Sequence, residues 1–187
     1  MRSPDYFISV LEYLEIELTS EIRHEYFEGE IFAMAGASEE HNLIAGNLYS
    51  IIRQKLKGGS CRVFMSDMKV SVKVRETEIF YYPDLMVTCD PQDKDRYFKL
   101  SPTLIVEVLS NNTKIIDKRE KLLSYQTISS LQEYVMISQD RIKVEVYRQD
   151  PEGNWTKEIL DKDGELYLNS IDITLKMSDI YEDVLET

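Results

Sequence analysis

The run Leu104-Ile105-Val106-Glu107-Val108-Leu109 constrains this chain more than any other stretch. Five of its six residues are apolar and three are β-branched. Such a run reads as a strand covered on both faces, and therefore as a central one. Period-two geometry puts Ile105, Glu107 and Leu109 on one face and Val106 and Val108 on the other. An ionised carboxylate there is costly unless a cation or hydrogen bonds compensate it. A second acid, Asp84, follows Pro83 in the apolar run Ile79–Cys89. Two such segments joined by one charged loop, Asp90–Lys99, suggest neighbouring strands whose acids converge, as a hard divalent cation requires.

Each acid has a plainer alternative. Glu107 can be paired with a lysine on a neighbouring element. Asp84 can be a strand-end residue beside an edge-tolerated proline. The helix that follows Glu107 carries Asp117, Lys121 and Tyr125 at i, i+4 and i+8 on one face. Lys121 is either half of a surface pair with Asp117 or a positive charge turned back toward the acids. His41 stands in the first turn of a helix, a place for a solvated or hydrogen-bonded imidazole as well as a catalytic one. Glu25 and Glu30 flank a hairpin, where surface glutamates are the default.

Local signals order the rest of the chain. Residues Ser9–Leu18 have helical spacing. Arg23–Phe27 and Glu30–Met34 flank Glu28-Gly29 and predict a β-hairpin with Gly29 at positive φ. Ser38 is an N-cap candidate, with Glu39 and Glu40 in the first turn of a long helix that Gly58-Gly59 ends. Strands follow at Cys61–Met65, Asp67–Val74, Ile79–Cys89 and Leu104–Leu109. In the second, Met68, Val70, Val72 and Val74 alternate with Asp67, Lys69, Ser71 and Lys73, which predicts one wet face. Ser110-Asn111-Asn112-Thr113 reads as a turn and cap cluster. A helix over about Lys114–Ile128 and a strand at Glu133–Ser138 complete a βαβ unit with parallel strands. Ile142–Tyr147, Trp155–Leu160 and Glu165–Leu168 read as antiparallel strands, and Met177–Leu185 as a short amphipathic helix. The expectation is one α/β domain over residues 1–187, of α+β type with a mixed sheet.

Composition narrows the function classes. The chain has 187 residues and a net charge of −12. That charge argues against a broad nucleic-acid-binding surface, because phosphate neutralisation drives such binding. It leaves room for a metal-dependent site. With no signal-peptide core and no membrane-length apolar run, the expected location is cytoplasmic and away from membranes. Cys61 and Cys89, without metal-type spacing, are expected as two buried thiols rather than a disulfide.

The ordered set of motifs carries a resemblance. It comprises Glu25-Tyr26-Phe27-Glu28-Gly29-Glu30, Ser38, His41, Pro83-Asp84, Ile105-Val106-Glu107-Val108-Leu109-Ser110, Thr113, Asp117, Lys121, Tyr125 and Glu133-Tyr134. Together these resemble the Uma-two (Uma2) family of restriction-endonuclease-like proteins in the PD-(D/E)XK nuclease superfamily. The resemblance implies an αβββαβ core and a site for Mg²⁺ or Mn²⁺. The implied ligands are Asp84, Glu107 and the carbonyl of Val108, with Lys121 and His41 as catalytic partners. It implies metal-dependent hydrolysis of DNA phosphodiesters, by a homodimer if two sites are to address two strands. The alternative is a catalytically silent protein that uses the nuclease fold for binding or regulation. One departure stands out. The superfamily lysine belongs two residues after the glutamate, where this chain has Leu109, so the role passes to Lys121.

Overall fold

The computed structural model describes residues 7–109 and 117–186. The chain opens with α1 (Val10–Thr19), started by a reciprocal cap. Ser9 Oγ accepts from the Glu12 amide at 3.3 Å, and the Glu12 carboxylate accepts from the Ser9 amide at 2.8 Å. The hairpin β1 (His24–Phe27) and β2 (Glu30–Ala33) turns through Glu28 at φ 49° and Gly29 at φ 88°. Two consecutive positive φ values match the twist of a two-residue hairpin. The long helix α2 (Glu39–Lys55) is capped as its sequence suggests, with Ser38 Oγ accepting from the His41 amide.

The next strands are β3 (Arg62–Met65), β4 (Lys69–Val74), β5 (Thr77–Tyr81), β6 (Leu85–Thr88), β7 (Phe98–Lys99) and β8 (Pro102–Leu109). After the crossover come β9 (Glu133–Ser138), β10 (Val144–Gln149), β11 (Trp155–Leu160), β12 (Glu165–Leu168) and β13 (Ile173–Lys176). Among the described residues they form a six-stranded sheet β11-β10-β9-β8-β6-β3, a five-stranded sheet β2-β1-β5-β4-β7 and the hairpin β12-β13. β8 lies inside the larger sheet, antiparallel to β6 and parallel to β9. The expected αβββαβ core is therefore α2, β3, β6, β8, the crossover helix and β9. The pair β4–β5 is an excursion into the second sheet.

Three expectations are corrected here. The run Ile79–Cys89 is two strands in different sheets, because the chain leaves one sheet at Tyr82-Pro83-Asp84 and enters the other at Leu85. Proline has no N–H for a ladder, so a sheet-to-sheet crossing suits it. The wet face of β4 is half covered: Asp67 and Lys73 are exposed, but Lys69 and Ser71 are buried, because α1 packs over that side of the five-stranded sheet through Tyr13 against Tyr26 and Phe80. Cys61 and Cys89 form a disulfide. Arg62 pairs with Thr88 across β3 and β6, so the cysteines face each other one step beyond that register.

The C-terminal segment differs from its sequence pattern. β12 pairs with β13, and the helix after it, α4, covers only Met177–Ile180. The turn cluster Ser110-Asn111-Asn112-Thr113 and the start of the crossover helix lie outside the described residues, as does the side chain of Asp117. The crossover helix is described from a π-helical turn over Asp117–Lys121 that runs into α3 (Leu122–Tyr125).

Two cores sit on opposite faces of the large sheet. On one, Ile44, Leu48 and Ile52 of α2 meet Val106, Val108 and Val135. On the other, Ile105, Met86 and Tyr134 meet Val72 and Tyr81 of the second sheet and Tyr125 of α3. Glu107 shares this second face with Ile105 and Leu109, as period two requires.

Candidate active site

Glu107 is buried to 3% exposure between the two sheets. Its Oε1 accepts from the Tyr125 hydroxyl at 2.8 Å and from Lys121 Nζ at 3.3 Å. Both donors come from the crossover helix, one turn apart. Lys121 is itself 6% exposed and lies 2.9 Å from Glu25 Oε1. The ammonium therefore bridges Glu25 on β1 and Glu107 on β8, with the Tyr81 ring 5.4 Å away. The plainer reading of Glu107, a salt bridge to a neighbouring lysine, is realised, and the lysine is the one named from sequence.

Asp84 stands where β6 begins. Leu85 pairs with Val106, so one more step of the antiparallel register puts Asp84 opposite Glu107. Asp84 lies just before the strand and reaches His41 on the α2 side of the sheet, whereas Glu107 faces the second sheet. Asp84 Oδ2 accepts from the Val108 amide at 2.7 Å and lies 3.1 Å from His41 Nε2. The first bond ties Asp84 to the strand that carries Glu107. The second brings in the N-terminal turn of α2, which Ser38 caps. Asp84 and His41 side chains are mostly buried, at 17% and 16% exposure.

The five named residues thus fall into two linked groups. Lys121 joins Glu107, and His41 joins Asp84, with the β6–β8 ladder between them. The structure adds Glu25, for which the sequence left a surface place as the default and gave no role. It also gives Tyr125 a definite contact. The signal for Glu25 was its place beside the apolar Tyr26 on a short strand, which period two turns to the opposite face. That face looks inward only because the second sheet packs on the first. Glu30 is exposed and takes no part.

The electrostatics follow from burial. Desolvation, with the Glu107 carboxylate adjoining, pushes the Tyr125 phenol well above its ordinary pKa, so it remains a donor. Burial also raises Tyr81, which the Ser124 hydroxyl at 3.3 Å partly offsets. A metal fit rests on oxygen donors: the Asp84 carboxylate just before β6, the Glu107 carboxylate on β8 and a backbone carbonyl at Val108. Mg²⁺ takes one or two carboxylates and completes its shell with water and phosphate oxygens. The bonds to Asp84 fall on Oδ2. Among the described residues no group of three or more His, Cys, Asp or Glu side chains is placed to hold a metal. The donor type suits Mg²⁺ with a largely water-filled shell and does not suit a closed cage.

The family model described as "Putative restriction endonuclease", Uma2, matches residues 10–177. This chain belongs to the Uma2 family. The match spans every residue of the site. Two Synechocystis sp. (strain ATCC 27184 / PCC 6803 / Kazusa) relatives are similar along most of their length. The uncharacterized protein slr1290 is 34% identical over 175 residues, covering 93% of this chain and 91% of that one. The uncharacterized protein sll1609 is 34% identical over 151 residues, covering 79% and 84%. Among solved structures, a crystal structure described as a putative nuclease belonging to DUF820 from Anabaena variabilis ATCC 29413 superposes with a TM-score of 0.76. It covers 95% of this chain and 99% of that one at 22% identity, which shows a shared fold. No described helix of this Uma2 chain is long and apolar enough to cross a membrane.

Proposed function

We propose that this Uma2 protein is a metal-dependent endonuclease that hydrolyses DNA phosphodiester bonds at the Asp84–Glu107 site. The observation that supports the reading is that Asp84, just before β6, is bonded to the Val108 amide of β8, the strand that carries Glu107, with a buried lysine brought to Glu107 from the crossover helix. A Mg²⁺ or Mn²⁺ ion bound there would supply an activated water and offset charge on the scissile phosphate. Asp84 and Glu107 would hold it, with the Val108 carbonyl beside them. The chain's own residues do the rest. The Val108 amide and His41 hold the Asp84 carboxylate in one orientation. Tyr125 fixes Glu107. Lys121 keeps a positive charge in a water-poor place, where charge developing on a phosphate is best stabilised. The measurement is nicking of supercoiled plasmid with Mg²⁺ or Mn²⁺. The wild type is expected to cut, and Asp84→Asn and Glu107→Gln are expected not to. No cutting of plasmid, linear or single-stranded DNA, with no heat of metal binding by calorimetry, sinks the reading.

One observation favours a second reading, a nuclease fold kept for binding or regulation. Lys121 is ion-paired with both Glu25 and Glu107, so the carboxylate that would take a metal already has a cation. The net charge of −12 points the same way. Wild-type protein that binds DNA without cutting it under any metal condition would select this second reading.

A further inference from the structure

The face of β4 that carries Lys69 alternates like a wet strand, yet it lies under α1. Beneath the C-terminal end of α1 the packing leaves a cavity of about 280 Å³. Glu17, Arg23, Lys69, Tyr82, Arg96 and Tyr97 are among its walls.

Lys69 is the unusual member. It is 6% exposed. Its ammonium donates to the Tyr82 hydroxyl at 3.3 Å and lies 5.3 Å from the Tyr82 ring. That hydroxyl donates onward to Glu17 Oε2 at 2.6 Å, and Glu17 Oε1 lies 2.8 Å from His24 Nδ1. Glu17 is thus hydrogen-bonded to Tyr82 and His24, and it reaches Lys69 through the phenol and by its charge rather than by a direct hydrogen bond. An ammonium has three donors, so two remain for whatever enters the cavity. Burial pulls the Lys69 ammonium below its ordinary pKa, a cost that an adjacent anion relieves.

The other charges leave the cavity positive. Arg23 pairs with Asp67 at 3.3 Å, but that aspartate side chain is 78% exposed, so water screens the contact. Arg96 is exposed and makes no ion pair among the described residues. Among the walls Lys69, Arg23 and Arg96 outnumber Glu17 and Asp67, and Asp95 acts on Lys69 from beyond them. Tyr97 and Met68 add an aromatic and an apolar wall. The volume falls just below the ~300 Å³ at which drug-sized ligand pockets begin.

We propose that this cavity binds a phosphate ester of mononucleotide size, with its phosphate on Lys69 and the two arginines and its ring against Tyr97 and Met68. Guanidinium forks match phosphate oxygens two at a time, which suits the exposed Arg96, while Arg23 already donates to Asp67 and to the Ser20 carbonyl and adds charge more than a free fork. The cavity is separate from the Asp84–Glu107 site. Tyr82 faces it, while the neighbouring Tyr81 ring faces Lys121 on the other side of β5. The phosphate can come from a free nucleotide or from a nucleic-acid strand.

Calorimetric titration of the full chain without divalent metal separates these sources. The titrants are a nucleoside monophosphate, inorganic phosphate and a short single-stranded oligonucleotide. Binding of the monophosphate is expected to weaken about tenfold in Arg96→Ala and further in Lys69→Met, as the loss of charge-assisted hydrogen bonds implies. The same loss with the oligonucleotide assigns the cavity to nucleic-acid phosphate; a loss with the monophosphate alone assigns it to a free ligand. Arg96 is exposed, so Arg96→Ala keeps the test sound if Lys69→Met fails to fold. No binding of any titrant by the wild type, or equal binding by wild type and variants, overturns the proposal. Because the readout is binding without metal, its failure leaves the nuclease reading standing.

Discussion

Replacing Lys121 with methionine is the sharpest test of how the site is held. Methionine keeps most of the apolar stem and removes the charge. In the wild type the ammonium lies 3.3 Å from Glu107 and 2.9 Å from Glu25, and both Glu107 and Lys121 are almost fully buried. Lys121→Met leaves the Glu107 carboxylate buried without that cation, although Tyr125 still donates to it. Breaking one side of a buried pair costs about 3–5 kcal/mol. With a urea slope of about 2 kcal/mol/M, the unfolding midpoint is expected to fall by roughly 2 M. The double variant Lys121→Met/Glu107→Gln is expected to recover about 2 kcal/mol of that loss, because a neutral pair replaces an orphaned charge. The assay is urea unfolding followed by circular dichroism, for wild type, both single variants and the double. A cost below about 1 kcal/mol for Lys121→Met, or strict additivity in the double, would refute a buried, coupled Lys121–Glu107 pair.

Two further outcomes follow from other parts of the molecule. The Cys61–Cys89 bridge spans a sequence separation of 28 residues, so Cys61→Ala/Cys89→Ala is expected to lose about 3 kcal/mol in non-reducing urea unfolding, with no loss if the thiols are free. Burial raises the Tyr181 phenol from 10.0 to about 12 in the fold. The folded state therefore holds that proton after the unfolded state releases it, so this stabilisation is complete below pH 10 and is lost between pH 10 and about 12. Two pH units correspond to about 2–3 kcal/mol, and Tyr181→Phe is expected to flatten the alkaline fall in stability by up to one proton.

Much of the local structure was legible because its causes act within a few residues. Helical spacing over Ser9–Leu18 marks one helix, and Ser38 with Glu39 and Glu40 marks the start of another through a side chain that reaches the nearest free amide. Glu28-Gly29 marks a hairpin because the turn demands positive φ. The apolar run around Glu107 marks a central strand because only a doubly covered strand can bury it. Asp84 and Glu107 were singled out by the same logic, as charges in or beside places that penalise charge, whereas the role of Lys121 came from the family resemblance.

What the sequence could not show depends on which faces meet. Tyr82-Pro83-Asp84 looks like the inside of one strand until two sheets compete for its ends. The alternation of β4 reads as half wet, and only α1 folding back over Lys69 and Ser71 makes that part of the face interior. Cys61 and Cys89 are isolated in sequence and opposed in space, because β3 and β6 are adjacent and antiparallel. Glu25 is an ordinary strand glutamate until the crossover helix delivers Lys121 to it. Patterning along the chain determined where the costly acids stand and which elements carry them. Tertiary packing alone decided their partners, because a desolvated charge is matched by whatever the second sheet and the crossover helix bring within about 3 Å.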